Sequence, residues 1–548
     1  MSKINFMKNQ TRYIAKLIVC VVTPFLMGSC ADDFFDKNPL DAVSDNTFWK
    51  TRGDAELALT GCYHAGSGWD GENFWLPRGL LYLDLMAGNG SEKELIPDRV
   101  TDGTLTSAYW VTEGYWRSAY AQITACNNFL EKIGNVEMDE EEKQVMISEV
   151  RTLRAYYYMN LAIFFGDVPL VTQLLTIAEA NSVFQAPRNE VFDFVEKELK
   201  ESAEILPPTR PDSENGRITA GAALAILGRA QLFNKKWEDA KNTYRKIMDA
   251  GAYQIAPEYS ELFWERGEFS KEIILSSQFQ QDTYSHVLLQ YLYPETWGGW
   301  HQFSPYNELV KAYECIDGKT TEESPLFDPD NPYDNRDPRL DYTIMISDRT
   351  VFKGVTYVSR PDSNSPDRFN KYNWSGYCIN KFMDPDFDAN LMNYGGNWSI
   401  IRYPEVLLGY LEAHLESGGA IDQGILDQTV NLVRQRSSVQ MPAVTTTNPA
   451  ELREIIRRER RVEFAFEGLR YFDILRWGIA AEELNRQFTG MKLTNDPDNY
   501  TAFDVDDEGY LLYQRRNFKE GINELWPIPL SEREINTHLN QNTGYQQR

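Results

Sequence analysis

Two stretches of the chain combine aromatic rings with carboxylates, amides and glycines. Residues 66–76 read GSGWDGENFWL, so that Trp69 and Trp75 flank Asp70, Glu72 and Asn73. Residues 291–306 read YLYPETWGGWHQFSPY and supply Tyr293, Trp297, Trp300, His301 and Tyr306. A pyranose has an apolar face of C–H groups and a rim of hydroxyls. A flat aromatic ring beneath it and carboxylates or amides at its edge match both parts. Glycine beside tryptophan lets such a ring stand exposed in a turn. Trp374, in the loop KYNWSGY, is a further candidate. The expected ligand contacts are therefore Trp69, Asp70, Asn73, Trp75, Tyr293, Trp297, Trp300, His301 and Trp374. Large aromatics are more often buried, and that reading suits Trp110, Trp116, Trp237, Trp477 and Trp526, which lie in periodic or blocked segments.

Catalytic patterns are poor. Glu459, Glu463 and Glu467 recur every four residues, and like charges at that spacing repel on a helix unless arginines neutralise them. Arg460, Arg470 and Arg476 lie close by, and others could come from distant elements. Carboxylates so flanked would titrate low, which is wrong for the general acid of a glycosidase. With Val462, Ala465, Phe466 and Leu469 at helical spacing, the stretch reads as a fastening between elements. Gly318-Lys319-Thr320 imitates a phosphate loop, but Tyr313 stands where the motif needs glycine. Neither HExxH nor GxSxG occurs, and His64, His286, His301, His414 and His538 are scattered. Asp504, Asp506, Asp507 and Glu508 could hold calcium, though a solvated acidic loop fits them better. No catalytic residue, cofactor or metal is expected.

Lys and Arg number 55 against 81 Asp and Glu in 548 residues, a formal charge of −26, which argues against nucleic acid as a partner. Lys3, Lys8, Arg12 and Lys16 precede an apolar run from Leu17 to Met27, too short for the roughly 20 residues that span a bilayer. Residues 1–29 thus read as a signal peptide. Leu26-Met27-Gly28-Ser29-Cys30 resembles a lipobox, with Cys30 acylated and the mature chain beginning there, tethered by its lipid rather than spanning. Cys62, Cys126, Cys315 and Cys378 show no CxxC spacing and are expected to be free buried thiols.

These candidates need a scaffold, and the apolar periodicity supplies one. Helices are expected over 53–64 and over 109–133, where Trp116, Tyr120, Ile123, Asn127 and Leu130 recur at steps of three and four. Met146, Val150, Leu153, Tyr157, Leu161 and Phe164 continue the rhythm to a stop at Gly166 and Pro169. After Pro207-Pro208, one helix carries Leu224, Leu227 and Gly228 and another Trp237, Ala240, Tyr244 and Ile247, a pairing similar to a tetratricopeptide unit. Segments 403–417, 424–437 and 450–478 complete the helical set. Between about 253 and 400 the periodicity disappears, and loops of that length are usually functional; 65–80 and 484–525 are alike. The fold expected is mostly all-α. Residues 30–548 form one domain, with a helical part at 30–250, a loop-rich ligand-binding excursion at 251–400 and a closing part at 401–548.

The run RRERRVEFAFEGLRYFDILRWG at 457–478 resembles the C-terminal signature of the SusD-like (RagB-like) family of outer-membrane nutrient-binding lipoproteins. Segments 149–171, 335–340, 401–413 and 526–545 look like blocks of the same family in the same order, so the resemblance covers nearly all of the mature chain. It implies tetratricopeptide-like helix pairs packed against an irregular half. It further implies a lipid-anchored protein on the outer leaflet of the outer membrane. There it would sit as a lid on a SusC-like TonB-dependent transporter, helical half toward the barrel, and hand over an oligosaccharide or, in some members, peptides. The acidic run after Cys30 is similar to the family's surface-export signal. No ligand residue carries over by motif. A helical-repeat scaffold for other proteins and a surface glycosidase are the alternatives outside the family.

Overall fold

The computed structural model describes residues 48–64, 71–369 and 375–545. Cys30, Trp69, Asp70 and Trp374 lie outside the described residues. Contacts divide the chain into two units. In the described part of the smaller, 48–56 with 135–138, Thr51 bridges Glu137 in parallel. Apart from Arg52–Glu56, which begin the first helix, everything below concerns the larger unit.

The long helices are α1 (Arg52–Tyr63), α2 (Pro77–Met86), α3 (Trp110–Lys132), α4 (Glu140–Phe165), α5 (Arg188–Ile205), α6 (Ala220–Phe233), α7 (Trp237–Ala250), α8 (Tyr403–Glu416), α9 (Pro449–Glu463) and α10 (Arg470–Trp477). From α3 to α9 each helix packs on the next, the stacking that short joins between amphipathic helices impose. Asp139 starts α4 by accepting from the Glu142 amide at 3.0 Å. Beyond Ser148 this helix is buried almost all round, as a central helix must be. Where α6, α7 and α8 meet, the Tyr244 ring is wedged between Gly228 and Gly409. A methyl group at either glycine would come within 2.5–2.7 Å of the ring, so these helices can approach only through glycine. The mostly helical class and the tetratricopeptide-like pairing expected from periodicity are present.

Two helical expectations need correction. Segment 424–437 is broken at Thr429 (φ −128°, ψ −101°) into Gln423–Gln428 and Val430–Arg434. Segment 450–478 is no single helix either. α9 ends at Glu463, and the chain turns through Phe466 (φ 66°) and Gly468 (φ 85°) before α10. The turn is held from outside. The Lys381 ammonium donates to the carbonyls of Glu463 (2.9 Å) and Ala465 (3.1 Å), and the Gly468 amide donates to the Asp84 carboxylate. Any side chain at Gly468 would press on the Leu80 carbonyl.

Five antiparallel strand pairs tie the irregular segments down among the described residues, the three longest being β1 (Gly90–Glu92) with β3 (Phe303–Pro305), β2 (Ile273–Ser277) with β4 (Trp398–Arg402), and β5 (Gln487–Lys492) with β6 (Tyr510–Arg515). Beside the β2–β4 pair lies a buried charge network. Arg402 donates to Glu272 (2.6 Å), Glu463 (2.9 Å) and Glu467 (2.7 Å). Arg436 joins Glu272 and Glu463, Arg339 joins Asp337, Glu459 and Glu463, and Arg434 joins Glu459 and Glu314. The three glutamates at four-residue spacing are thus neutralised by arginines from distant elements. Their near neighbours serve elsewhere: Arg460 and Arg476 hold Asp473, Arg476 also holds Glu412, and Arg470 holds Glu483. Cys62, Cys126, Cys315 and Cys378 are buried and free, as expected.

Candidate functional site

The β1–β3 ladder places the 291–306 segment beside α2, and one side chain joins it to residues 71–76. Arg78, in the first turn of α2, lays its guanidinium 4.7 Å from the centre of the Tyr291 ring and 5.1 Å from that of Tyr82. It donates to the Tyr82 hydroxyl at 2.5 Å, Tyr82 donates to Glu92 at 3.0 Å, and Arg78 lies 3.6 Å from the same carboxylate. Burial pushes the Glu92 carboxyl up to about 7 against the opposing pull of Arg78. At Gly71 a methyl group would stand 3.1 Å from Arg78. Arg78 thus meets both Gly71, in the described part of the first stretch, and Tyr291, in the second.

Against Tyr291 stands Trp300, its ring edge-on at 5.0 Å and 36% exposed. The turn that raises it needs its glycines. Gly298 takes φ 83°, and a side chain at Gly299 would collide with the Tyr293 carbonyl. The Trp300 amide then donates to the Gln290 carbonyl at 2.7 Å, which sets the direction of the ring. An exposed indole propped on a buried tyrosine, whose ring also meets the partly exposed Arg78 guanidinium, offers a stacking face with a cationic donor nearby, while the enclosed Glu92 anchors that arginine.

Other expected contacts lie elsewhere. Trp75 is 2% exposed and packs edge-on to Tyr156 at 5.6 Å, and Asn73 is spent on the Trp75 amide at 2.7 Å. Both are core residues, drawn inward because Phe74 joins the aromatic stack of Phe164 and Trp526. Tyr293 is buried and donates to the Asp384 carbonyl at 2.8 Å. Trp297 is half-buried, edge-on to Phe352 at 5.4 Å. His301 is fully buried. In this conformation Asn73, Trp75, Tyr293 and His301 present nothing to a ligand. Trp110, read as buried, is instead 48% exposed. Asp506 accepts from the Glu508 and Tyr510 amides, so the acidic loop closes on itself, and no metal-ligand cluster occurs among the described residues.

A model of the SusD family matches residues 269–545, and a second, described as starch-binding and associating with the outer membrane, matches residues 86–232. The chain belongs to the SusD family. It is similar to a SusD-like carbohydrate-binding protein from Bacteroides fragilis, at 35% identity over 90% of this chain and 100% of that one, with a TM-score of 0.85. A second SusD-like structure from Bacteroides fragilis is 27% identical over 93% of this chain and 100% of that one, with a TM-score of 0.76. A SusD-like protein of Formosa agariphila is 23% identical over 85% of this chain and 90% of its own length.

In this SusD-family protein the sequence reading missed Arg78, Tyr82, Glu92 and Tyr291. A signal for two of them exists: Arg78 and Tyr82 are four residues apart, so they share a helix face. His301, read as a ligand contact, has a different part. Its Nδ1 lies 3.3 Å from Asp367, which also accepts from the Glu295 amide (2.7 Å), the Thr296 amide (3.1 Å) and the Thr296 hydroxyl (2.5 Å). The pair thus clamps both ends of the turn that bears Trp300. Burial opposes charge on His301, but the Cys378 sulfur and the Asp367 carboxylate outweigh it and raise the imidazole to about 10. Burial would raise Asp367, yet hydrogen bonds from His301 and Thr296 hold it below the usual range. The His301 contribution is therefore complete below the unfolded value of 6.5 and fades as pH climbs toward about 10. That of Asp367 is present above 3.8 and is lost in acid. With Asp367→Asn, amide exchange at 295–301 quickens roughly tenfold at neutral pH. Mass-detected exchange unchanged from wild type would show that the pair does not hold the turn.

Proposed function

We propose that this SusD-family protein is a surface-exposed outer-membrane lipoprotein that binds an oligosaccharide at the Trp300 group and passes it to a SusC-like TonB-dependent transporter. The observation that carries the reading is the exposed Trp300 ring on its double-glycine turn, propped by Tyr291, whose ring also meets the Arg78 guanidinium. Several neighbours in structure support it by what they are: a carbohydrate-binding protein from Bacteroides fragilis, a laminarin-binding SusD-like protein and a surface glycan-binding protein of Bacteroides fluxus. The description of the second family model supports the outer membrane, and no helix among the described residues is long and apolar enough to cross one. The protein captures without cutting. The glutamates of the 459–467 run are locked in ion pairs, and Glu92 is enclosed with Tyr82.

Affinity electrophoresis of the mature protein through gels containing one polysaccharide each is the test. At least one plant, microbial or mammalian glycan retards it, and reducing-end assays of the same mixtures stay at background. Retardation by none, with binding of peptide mixtures, would overturn the glycan reading. Replacing Cys30 by alanine moves the protein from the membrane pellet to the soluble fraction, because a tether of acyl chains is lost. A pellet-bound variant would refute the anchor. A tagged wild type drawn from detergent-solubilised membranes brings a large barrel with it; recovery of the lone chain would refute the partnership.

A further inference from the structure

A cleft of about 580 Å³ opens on the loop-rich side, between residues 346–362 and 491–503. Both segments belong to the long loops that no helical period explains, and neither contributes to the Trp300 group. Along the rim runs a row of alternating charge. Arg360 donates through Nε to Asp348 at 2.8 Å and holds Nη1 3.9 Å from Asp362. All three side chains are more than two-fifths exposed, where ion pairs add little to stability. Asp348 takes a left-handed backbone (φ 62°), fixed by its amide donating to the Tyr357 carbonyl at 2.9 Å. Backbone strain of that kind is kept where the surroundings impose it.

Tyr500 lines the cleft beside this row, half-exposed, its hydroxyl raised by burial and by the Asp362 carboxylate. Phe503 lines the same cleft. That ring packs edge-on to Phe369 at 4.9 Å, in a small apolar cluster with Leu511, Leu493 and Tyr513 that lies apart from the main core. Tyr333 faces the cleft from the other side, its hydroxyl 2.9 Å from that of Tyr377.

We infer that this cleft is a second oligosaccharide-binding site, which takes a neutral pyranosyl unit over Tyr500 with its hydroxyls on the Asp348–Arg360–Asp362 row. Each sugar hydroxyl is at once a donor and an acceptor. A vicinal pair can therefore donate to the carboxylates while it accepts from the guanidinium between them. The row itself carries two carboxylates against one guanidinium, while the Lys492 ammonium of the same lining is turned to the Pro329 carbonyl, so the row favours a neutral sugar over a uronate or sulfated one. A phenol ring gives the apolar face its platform. The site shares no residue with the Trp300 group and could lengthen the grip on one chain or hold a second chain, with the gain that linked sites bring.

The experiment is hydrogen exchange by mass spectrometry on the whole mature chain, with millimolar maltohexaose, cellohexaose, laminarihexaose, xylohexaose and mannohexaose in turn. Protection of peptides covering 346–360 and 491–503 by at least one of them is expected. It persists in Trp300→Ala and disappears in the Arg360→Ala/Tyr500→Ala variant, whose melting curve matches wild type because both side chains reach solvent. Asp362→Asn, at a rim side chain 77% exposed, halves the protection and serves if the double variant melts early. Absence of protection at these two peptides with every sugar overturns the second site, whatever is seen at 291–301. Protection here but not at 291–301 supports the second site and overturns the Trp300 reading instead.

Discussion

Replacing Glu463 by alanine destabilises the protein by about 3–5 kcal/mol, a large share of the roughly 5–15 kcal/mol that holds a domain folded. Glu463 is completely buried, and its two oxygens accept from Arg402 (2.9 Å), Arg436 (3.0 Å) and Arg339 (3.0 Å). Alanine would leave three guanidinium groups in a low-dielectric interior with one carboxylate fewer, and breaking a buried pair from one side strands the other charge. Burial alone would raise the Glu463 carboxyl, but Arg436, Arg402 and Arg339 hold it far below its unfolded value of 4.5. Its contribution is then present above 4.5 and is lost as pH falls below that value. Urea unfolding of the mature protein at neutral pH and at pH near 4 measures both effects. The wild type loses stability in acid more steeply than Glu463→Gln, which has no carboxylate to protonate. A loss under about 1 kcal/mol in the alanine variant would mean that the network is not what fastens the loop-rich half to α9.

Trp300→Ala weakens glycan binding by roughly 30-fold, the effect of removing an aromatic anchor worth about 2 kcal/mol. The melting temperature hardly moves, because the ring is already one-third in water and its loss opens no core cavity. Trp75→Ala is the contrasting variant. That ring is sealed against Tyr156 and Tyr63, so its removal costs about 3–5 kcal/mol of stability. Calorimetry with the glycan found by electrophoresis separates the two. Equal affinities for wild type and Trp300→Ala would remove the indole from the site.

Much of the scaffold is legible along the chain. The 3–4 spacing of Trp116, Tyr120, Ile123 and Asn127 and of Met146 to Phe164 locates α3 and α4 within a residue or two at most of their ends, apart from the earlier start of α4. Helical period is a local property, written in residues that are near in sequence. Gly298 and Gly299 likewise announce a turn that only small residues can make, and they mark where an indole stands up. The line of glutamates at 459, 463 and 467 announces a need for cations.

Which cations answer is not written there. Arg339, Arg402 and the neighbouring pair Arg434 and Arg436 come from three other places in the chain, and the arginines next to the glutamates turn to Asp473, Glu412 and Glu483. The end of α9 at Glu463 follows from the same cause. Continuing the helix was favoured by its own pattern, but Lys381 and Asp84 capture the backbone of 463–468 from outside. Trp75 and Trp300 occupy similar glycine-rich, acidic contexts and end on opposite sides of the surface. Solvent exposure and charge pairing are settled by groups far apart along the polypeptide, so residue type and spacing could name the aromatic candidates but could not say which of them meets water.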